Sequence, residues 1–300
     1  MQIIELKQDA LKIDFCYLGD CRDSMRKILA MGGAGKVQTI VTSPPYWGLR
    51  DYGMDGQIGL EPTIQEYVAN MVEVFSLCRE LLADDGTLWL NIGDSYASYR
   101  DGKATPDTAR GESVGTLVDK GRASNRMAST FKGTSVKHKD LCGIPWRLAF
   151  ALQDEGWHLR QDIIWHKPNP MPESVTDRCT KAHEYLFLLS KNERYYFDSD
   201  TIKERSANGI ETRNRRSVWT ISTESFSGAH FAVFPPALIE PCILAGSRAG
   251  NIVFDPFLGS GTTAQVAQSL GRKWIGCELN NEYIELQDNR TRQSGIIFSK

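Results

Sequence analysis

Short apolar runs alternate along this 300-residue chain with longer stretches of helical spacing. Phe15–Leu18 reads as a strand that stops at Gly19-Asp20, and a helix follows from Asp23 to Leu29. Val37–Val41 is a second strand, ended by Thr42-Ser43-Pro44-Pro45 because consecutive prolines cannot continue a hydrogen-bonded ladder. From Ile64 to Leu82, residues Tyr67, Val68, Met71, Val74, Phe75 and Cys78 recur at the spacing of one helix face. Asp84-Asp85-Gly86 turns the chain into a third strand, Thr87–Ile92. Pro145–Glu155 reads as a helix, Trp157–Trp165 and Glu184–Ser190 as strands, and Pro235–Ala245 as an apolar helix. The strand Asn251–Phe254, a helix from Thr262 to Leu270, the strand Trp274–Leu279 and a helix from Asn281 to Arg292 complete the series, with no internal repeat. This alternation predicts a single α/β domain over residues 1–300, with a mostly parallel sheet and helices on both faces. Ligands of such sheets sit beyond the carboxyl ends of the strands.

Two stretches depart from the pattern. Residues 96–140 are rich in Gly, Ser, Thr, Lys, Arg and Asp and read as a long exposed insertion; residues 191–217 are again polar and charged. Hydrophobic residues at 41% and aromatics at 10% are enough for a full core and exclude a disordered chain. The opening MQIIELKQDALKID lacks the apolar core of a signal peptide, and no apolar run is long enough to span a bilayer. The seven cysteines are odd in number and form no C-x-x-C pair, so they are expected as reduced thiols in the cytoplasm, binding no metal.

Chemistry concentrates at two strand ends. Asp255-Pro256-Phe257-Leu258-Gly259-Ser260-Gly261-Thr262 follows a strand and opens a helix, and Gly259 and Gly261 let the backbone turn close to a ligand. Glu278, after the next strand, is placed to accept hydrogen bonds from both hydroxyls of a ribose. Asp255-Pro256 puts a carboxylate where a dinucleotide enzyme needs room for pyrophosphate, and a carboxylate suits an ammonium group. S-adenosylmethionine offers a ribose, a cationic sulfonium and an amino-acid tail. A plain tight turn would account for one G-x-G, but not for the whole string together with Glu278.

The second strand end is Ser43-Pro44-Pro45-Tyr46. An amino group on a nucleobase has its lone pair delocalised into the ring. If Ser43 Oγ and the Pro44 carbonyl accept its hydrogens, the nitrogen rehybridises and attacks a methyl group in line, without a covalent enzyme intermediate. Pro45 stiffens the corner, and Tyr46 would stack on a base swung out of its helix. Taken alone, the segment could equally be a Pro-Pro turn with two aromatics packed in the core.

With both motifs read, the sequence resembles the DNA amino-methyltransferases of bacterial and phage restriction–modification systems. It is similar to the circularly permuted beta class, in which S/D-P-P-Y precedes the cofactor motif. The resemblance covers most of the chain except 96–140 and 191–217. It implies a Rossmann-like methyltransferase fold, S-adenosyl-L-methionine as cofactor with S-adenosylhomocysteine as product, and double-stranded DNA as partner. It also implies that Asp20 contacts adenosine and that Phe234-Pro235-Pro236 flanks the methionine end. Trp165-His166-Lys167-Pro168 would form the strand and loop beneath the target base. A first-position Ser is typical of cytosine-N4 enzymes, with adenine-N6 the alternative. A partner restriction endonuclease, and a monomer or a homodimer, are both compatible with the family.

The formal charge of −2 does not itself point to nucleic acid, but residues 96–140 carry nine basic residues against five acidic ones. The DNA contacts expected there are Lys103, Arg110, Arg122, Arg126, Lys132 and Lys137, joined by Lys167 and by Arg213, Arg215 and Arg216. The family's usual recognition interval is short in this chain, so 191–217 is read as a short recognition segment and the 96–140 insertion is expected to share target reading. Pro241-Cys242 resembles the nucleophile of cytosine-C5 enzymes, but Cys242 follows Leu238 at core helical spacing and is read as buried. A methyltransferase of RNA or of a protein amide, and a non-catalytic DNA-binding homologue, are the remaining alternatives.

Overall fold

The computed structural model of the chain describes residues 10–97, 136–206, 211–224 and 234–293. Its strands are β1 (Phe15–Leu18), β2 (Val37–Thr42), β3 (Leu82–Ile92), β4 (His158–His166), β5 (His183–Ser190), β6 (Glu204–Arg205), β7 (Thr212–Arg213), β8 (Val218–Thr220), β9 (Ile252–Asp255) and β10 (Lys273–Glu278). Its helices are α1 (Cys21–Ile28, running on into a π-turn), α2 (Ile64–Leu81), α3 (Ile144–Asp154), α4 (Pro236–Gly246), α5 (Thr262–Ser269) and α6 (Tyr283–Gln293).

Eight strands form one sheet in the order β1-β10-β9-β2-β3-β5-β4-β8, while β6 and β7 pair separately. Within the eight-stranded sheet β5 alone runs against its neighbours, β3 and β4, and the separate β6–β7 pair is also antiparallel. Successive side chains of a strand point to opposite faces, so the apolar runs feed two cores. Ile40, Leu88, Leu90, Phe187, Leu189, Phe254 and Ile275 pack under α1, α2 and α3. Val41, Trp89, Leu186, Leu188, Val253 and Trp274 pack under α4 and α5. Burial on both faces explains why these strands are nearly all apolar rather than alternating. Each fully buried Leu, Ile or Phe contributes roughly 1.5–3 kcal/mol.

Several element boundaries differ from the sequence expectation, each for a local reason. Helix α1 begins at Cys21 because Asp20 caps it, its carboxylate accepting the Arg22 amide. Strand β3 begins at Leu82, which pairs with Val37; the ladder then breaks and resumes with Thr87 opposite Thr39, so Asp84-Asp85-Gly86 is a bulge inside a strand. The stretch 191–217 is less open than its polarity suggested. Phe197 stacks on Trp89, Ile202 is buried, and Val218–Thr220 just beyond it adds an edge strand to β4. The ends of the 96–140 insertion are joined: Tyr96 bridges Leu141, and the Ala97 amide donates to the Asp140 carbonyl. Nothing between them from 98 to 135 is among the described residues.

The topology creates one crevice. Strands β2 and β9 are parallel neighbours, yet the helices that follow them, α2 and α5, lie on opposite faces. The chain leaves two adjacent strand ends in opposite directions, which opens a gap at their carboxyl ends. Both predicted motifs begin there.

Candidate active site

The gap is a cleft of about 730 Å³, in the size range of small-molecule sites. Ser43, Pro44, Pro45 and Tyr46 line it from the end of β2. Asp255, Pro256, Phe257, Gly259, Ser260 and Thr262 line it from the end of β9, and Asp20, Phe234 and Glu278 complete the expected set. Two expected cofactor residues stand behind the wall. Gly261 caps α5 at φ 88°, and a Cβ there would press on Gln287 at 3.1–3.3 Å. Pro235 sits at the start of α4.

On the cofactor side, Asp255 is 1% exposed, and its carboxylate is turned into the protein. Thr42 Oγ1 donates to it at 2.6 Å, Thr263 Oγ1 at 2.7 Å and the Phe257 amide at 3.0 Å. Burial still pushes its pKa up to about 6. Where the sequence suggested an ammonium partner, the observed bonds staple the end of β2 to the turn after β9. Glu278 accepts the Gly259 amide on one oxygen and the Asn280 amide on the other, both at 2.8 Å, and burial raises its pKa. Each oxygen keeps a lone pair for a ligand. Asp20 is held below the usual carboxylate range by the Arg22 side chain, which contacts it at 2.6 Å.

Ser260 Oγ is buried in the cleft wall with no hydrogen-bond partner among the described residues. A buried hydroxyl without a partner is uncommon unless a ligand completes it. Two carboxylates, one bare hydroxyl and the apolar surfaces of Phe257, Leu258 and Ile58 match a ligand with a ribose, an amino-acid tail and a purine. Among the described residues no His, Cys, Asp or Glu cluster could hold a metal ion.

On the other side of the cleft, Ser43 Oγ donates to the Tyr46 hydroxyl at 3.3 Å. The Tyr46 hydroxyl donates to Glu184 Oε2 at 2.8 Å. Tyr67 donates to the Pro45 carbonyl at 2.8 Å, while the Pro44 carbonyl receives no hydrogen bond among the described residues. The two aromatics of the motif part company. Tyr46 faces the cleft, whereas Trp47 is buried with Nε1 on the Glu61 carbonyl at 3.0 Å. Tyr46 also lies close against Gly93, where a Cβ would come within 2.7 Å of its ring.

Sequence reasoning missed Glu184, Asn91, Lys181 and the strap from Leu49 to Ile58, all of which line the cleft. Asn91 Nδ2 donates to Glu184 at 3.2 Å, and Lys181 Nζ donates to the Asp94 carbonyl at 2.9 Å. The Asp94 carboxylate in turn caps α3 through the Gly143 and Ile144 amides. The available signal was polarity inside apolar strands: Asn91 near the end of β3, and His183 and Glu184 at the start of β5, are polar residues that abut the site. The strap carries no comparable mark.

Of the expected DNA contacts, Lys103, Arg110, Arg122, Arg126 and Lys132 lie outside the described residues. Lys167 is inside the cleft, ion-paired with Glu184 and with Nζ 4.3 Å from the centre of the Trp165 ring. Lys137 is exposed beside Asp140. Arg213 pairs with Glu204 at 2.9 Å, and the Arg215 guanidinium lies 4.4 Å from the centre of the Trp219 ring. Arg216 joins them along a shallow groove beside β8, away from the cleft. Cys242 is fully buried, its thiol on the Leu238 carbonyl and its pKa raised by burial, so it is no nucleophile. All seven cysteines are free. Among the described residues no helix is long and apolar enough to cross a membrane.

The DNA methylase family model matches residues 37–289. Over 274 residues the chain is 50% identical to the type II methyltransferase M.Cfr9I of Citrobacter freundii, covering 91% of this chain and 86% of that one. It is 51% identical over 274 residues to the type II methyltransferase M.SmaI of Serratia marcescens, covering 91% and 89%. Among solved structures, the PvuII DNA methyltransferase, titled cytosine-N4-specific, matches with a TM-score of 0.65 at 21% identity, covering 94% and 87%. The M1.HpyAVI–SAM complex matches with a TM-score of 0.56 at 18% identity, covering 92% and 98%. These structural likenesses carry the Rossmann-like methyltransferase fold. With its two motifs meeting in one cleft and the family model spanning most of its length, the chain belongs to the DNA methylase family and is a DNA methyltransferase.

Proposed function

We propose that this protein transfers the methyl group of S-adenosyl-L-methionine to the exocyclic amino nitrogen of an extruded base in double-stranded DNA, and that the base is cytosine, methylated at N4. One observation carries the reading: the serine–diproline corner and the glycine turn wall the same cleft. Thr42 and Asp255, 213 residues apart, share a hydrogen bond at its floor. Glu278 would hold the ribose, Asp20 the adenosine side, and Ser260 Oγ the amino-acid tail. The bound donor supplies a methyl group already activated by its sulfonium.

Ser43 gives its own hydrogen to Tyr46, so its lone pairs are free to accept one amino hydrogen of the base. The unpartnered Pro44 carbonyl accepts the other. Held this way, the nitrogen's lone pair leaves the ring and points at the methyl group, an effect of position and fixed dipoles. Tyr46 offers its ring to the base. Ser43, rather than Asp or Asn, supports N4 of cytosine through the family resemblance; N6 of adenine is the second reading. DNA methylated in vitro, digested to nucleosides and separated, tests this directly. N4-methylcytosine is expected. N6-methyladenine alone would overturn the choice of base, and the absence of both would overturn the reading.

A further inference from the structure

Glu184 is unexplained by packing. It is the second residue of β5, the strand of the eight-stranded sheet that runs against its neighbours, and that reversal brings the start of β5 to the edge where the adjacent β3 ends. Its two oxygens have different partners. Oε1 is ion-paired with Lys167, while Oε2 receives the Tyr46 hydroxyl at 2.8 Å and the Asn91 amide at 3.2 Å. The donors form a directed chain from the motif serine inward: Ser43 O–H to Tyr46, then Tyr46 O–H to Glu184. Ser43 lines the cleft at the point where the reading above seats the base amino group.

Resting on that methyltransferase reading, we propose that Ser43, Tyr46 and Glu184 form a hydroxyl relay that removes the proton the methylated amino nitrogen must lose, with Glu184 as its terminal acceptor. As the nitrogen–methyl bond forms and the methyl–sulfur bond breaks, the positive charge passes from sulfur to the amino nitrogen. In the same step that nitrogen sheds one proton to Ser43 Oγ, Ser43 hands its own to Tyr46 and Tyr46 hands its own to Glu184. The products are a neutral methylamino base and a neutral Glu184 carboxyl, which returns the proton to water beside Lys167. The positive charge developing on that nitrogen makes its N–H a much stronger acid than a carboxylic acid, so the Glu184 carboxylate beside Lys167 is a sufficient base for it. Burial and the Glu184 charge disfavour ionisation of Tyr46, so its hydroxyl passes a proton on only as it receives one. The other titratable groups facing Glu184 are Lys167, Lys181 and His183; burial lowers the pKa of the last two. Glu184 therefore acts on the base through Tyr46 and Ser43, as a positioning residue with a proton-accepting end.

The test measures single-turnover methylation of pre-bound DNA against pH in the wild type, Glu184→Gln, Glu184→Asp and Tyr46→Phe. Glu184→Gln is expected to slow transfer about 100-fold near neutrality, the scale of general-base assistance. Its rate should climb with pH as hydroxide substitutes, while dissociation constants for cofactor and DNA stay within about twofold of wild type, a margin well under 1 kcal/mol. Tyr46→Phe should show the same rising profile, and Glu184→Asp should recover part of the rate. In the ligand-free protein, ¹³Cζ-tyrosine NMR should show the Tyr46 resonance displaced by Glu184→Gln. A Glu184→Gln enzyme with the wild-type rate and pH profile overturns the relay. So does one whose loss of rate tracks a loss of binding at unchanged profile, which is what a scaffold residue gives. If the wild type methylates no DNA, the methyltransferase reading fails first and the relay falls with it.

Discussion

At Asp255 an ionised carboxylate sits almost out of reach of solvent, and burial pushes its pKa from 3.8 to about 6 although three donors hold it. The direction sets a pH dependence. Because the folded state keeps this proton to a higher pH than the unfolded chain, its contribution is fully present below the unfolded value. It is lost as pH rises through about 6. A displacement of this size amounts to on the order of 3 kcal/mol between the two ends of the window. Asp255→Asn removes the titration, and Thr263 Oγ1, which also lies 3.4 Å from the Val41 carbonyl, can turn its hydrogen there. Denaturant melts between pH 4 and pH 8 should therefore show the wild type losing stability relative to Asp255→Asn across that window. Parallel curves would mean that the carboxyl is not held as described. The sequence marked Asp255 as important through its place in the glycine-turn string. The burial that decides where its oxygens point comes from Thr42, on a strand far away in the chain.

Elements position the site through close approaches that only small residues permit. Gly276 in β10 is one: a Cβ there would fall 2.5 Å from Leu258 Cδ2, and Leu258 belongs to the glycine turn. Gly276→Ala should displace that turn, costing about 1–3 kcal/mol of stability as an overpacked core site. It should also weaken S-adenosylmethionine binding with little change in DNA affinity, read by thermal melts and ligand titration. Unaltered cofactor affinity would show that Leu258 yields without moving the turn. The strands themselves were legible because double burial leaves continuous apolar runs, and α2 was legible from its helical spacing, to which the structure adds a Thr63–Glu66 capping box. The reversal of β5 was not. His183–Ser190 has the same composition in either direction, and the loop that returns it from β4 sets the orientation.

For the molecule as a whole, the basic insertion is joined at its root, Tyr96 against Leu141, so it leaves and re-enters the fold at one point beside α3. Deleting residues 104–135, which stops short of the buried Val136, should therefore leave the melting temperature near that of the wild type while abolishing tight, site-specific DNA binding, measured by mobility shift with cognate and scrambled duplexes. Retained specificity in the deletion variant would move target reading to another surface, such as the Arg213–Arg216 groove beside β8. Electrostatics favours the insertion, because its positive excess is carried by an otherwise acidic chain.

The amino-acid order alone fixed the α/β class, the two motifs, and the strand ends from which Ser43 and Asp255 project, because periodicity and turn chemistry are local properties. Tertiary structure decided what no local window contains. It set the antiparallel course of β5, the meeting of β2 and β9, the inward turn of the Asp255 carboxylate, and the placing of Glu184, Asn91 and Lys167 around Tyr46. Those depend on which distant residues share a wall, and contacts between remote segments are settled only when the sheet closes and water leaves the cleft floor.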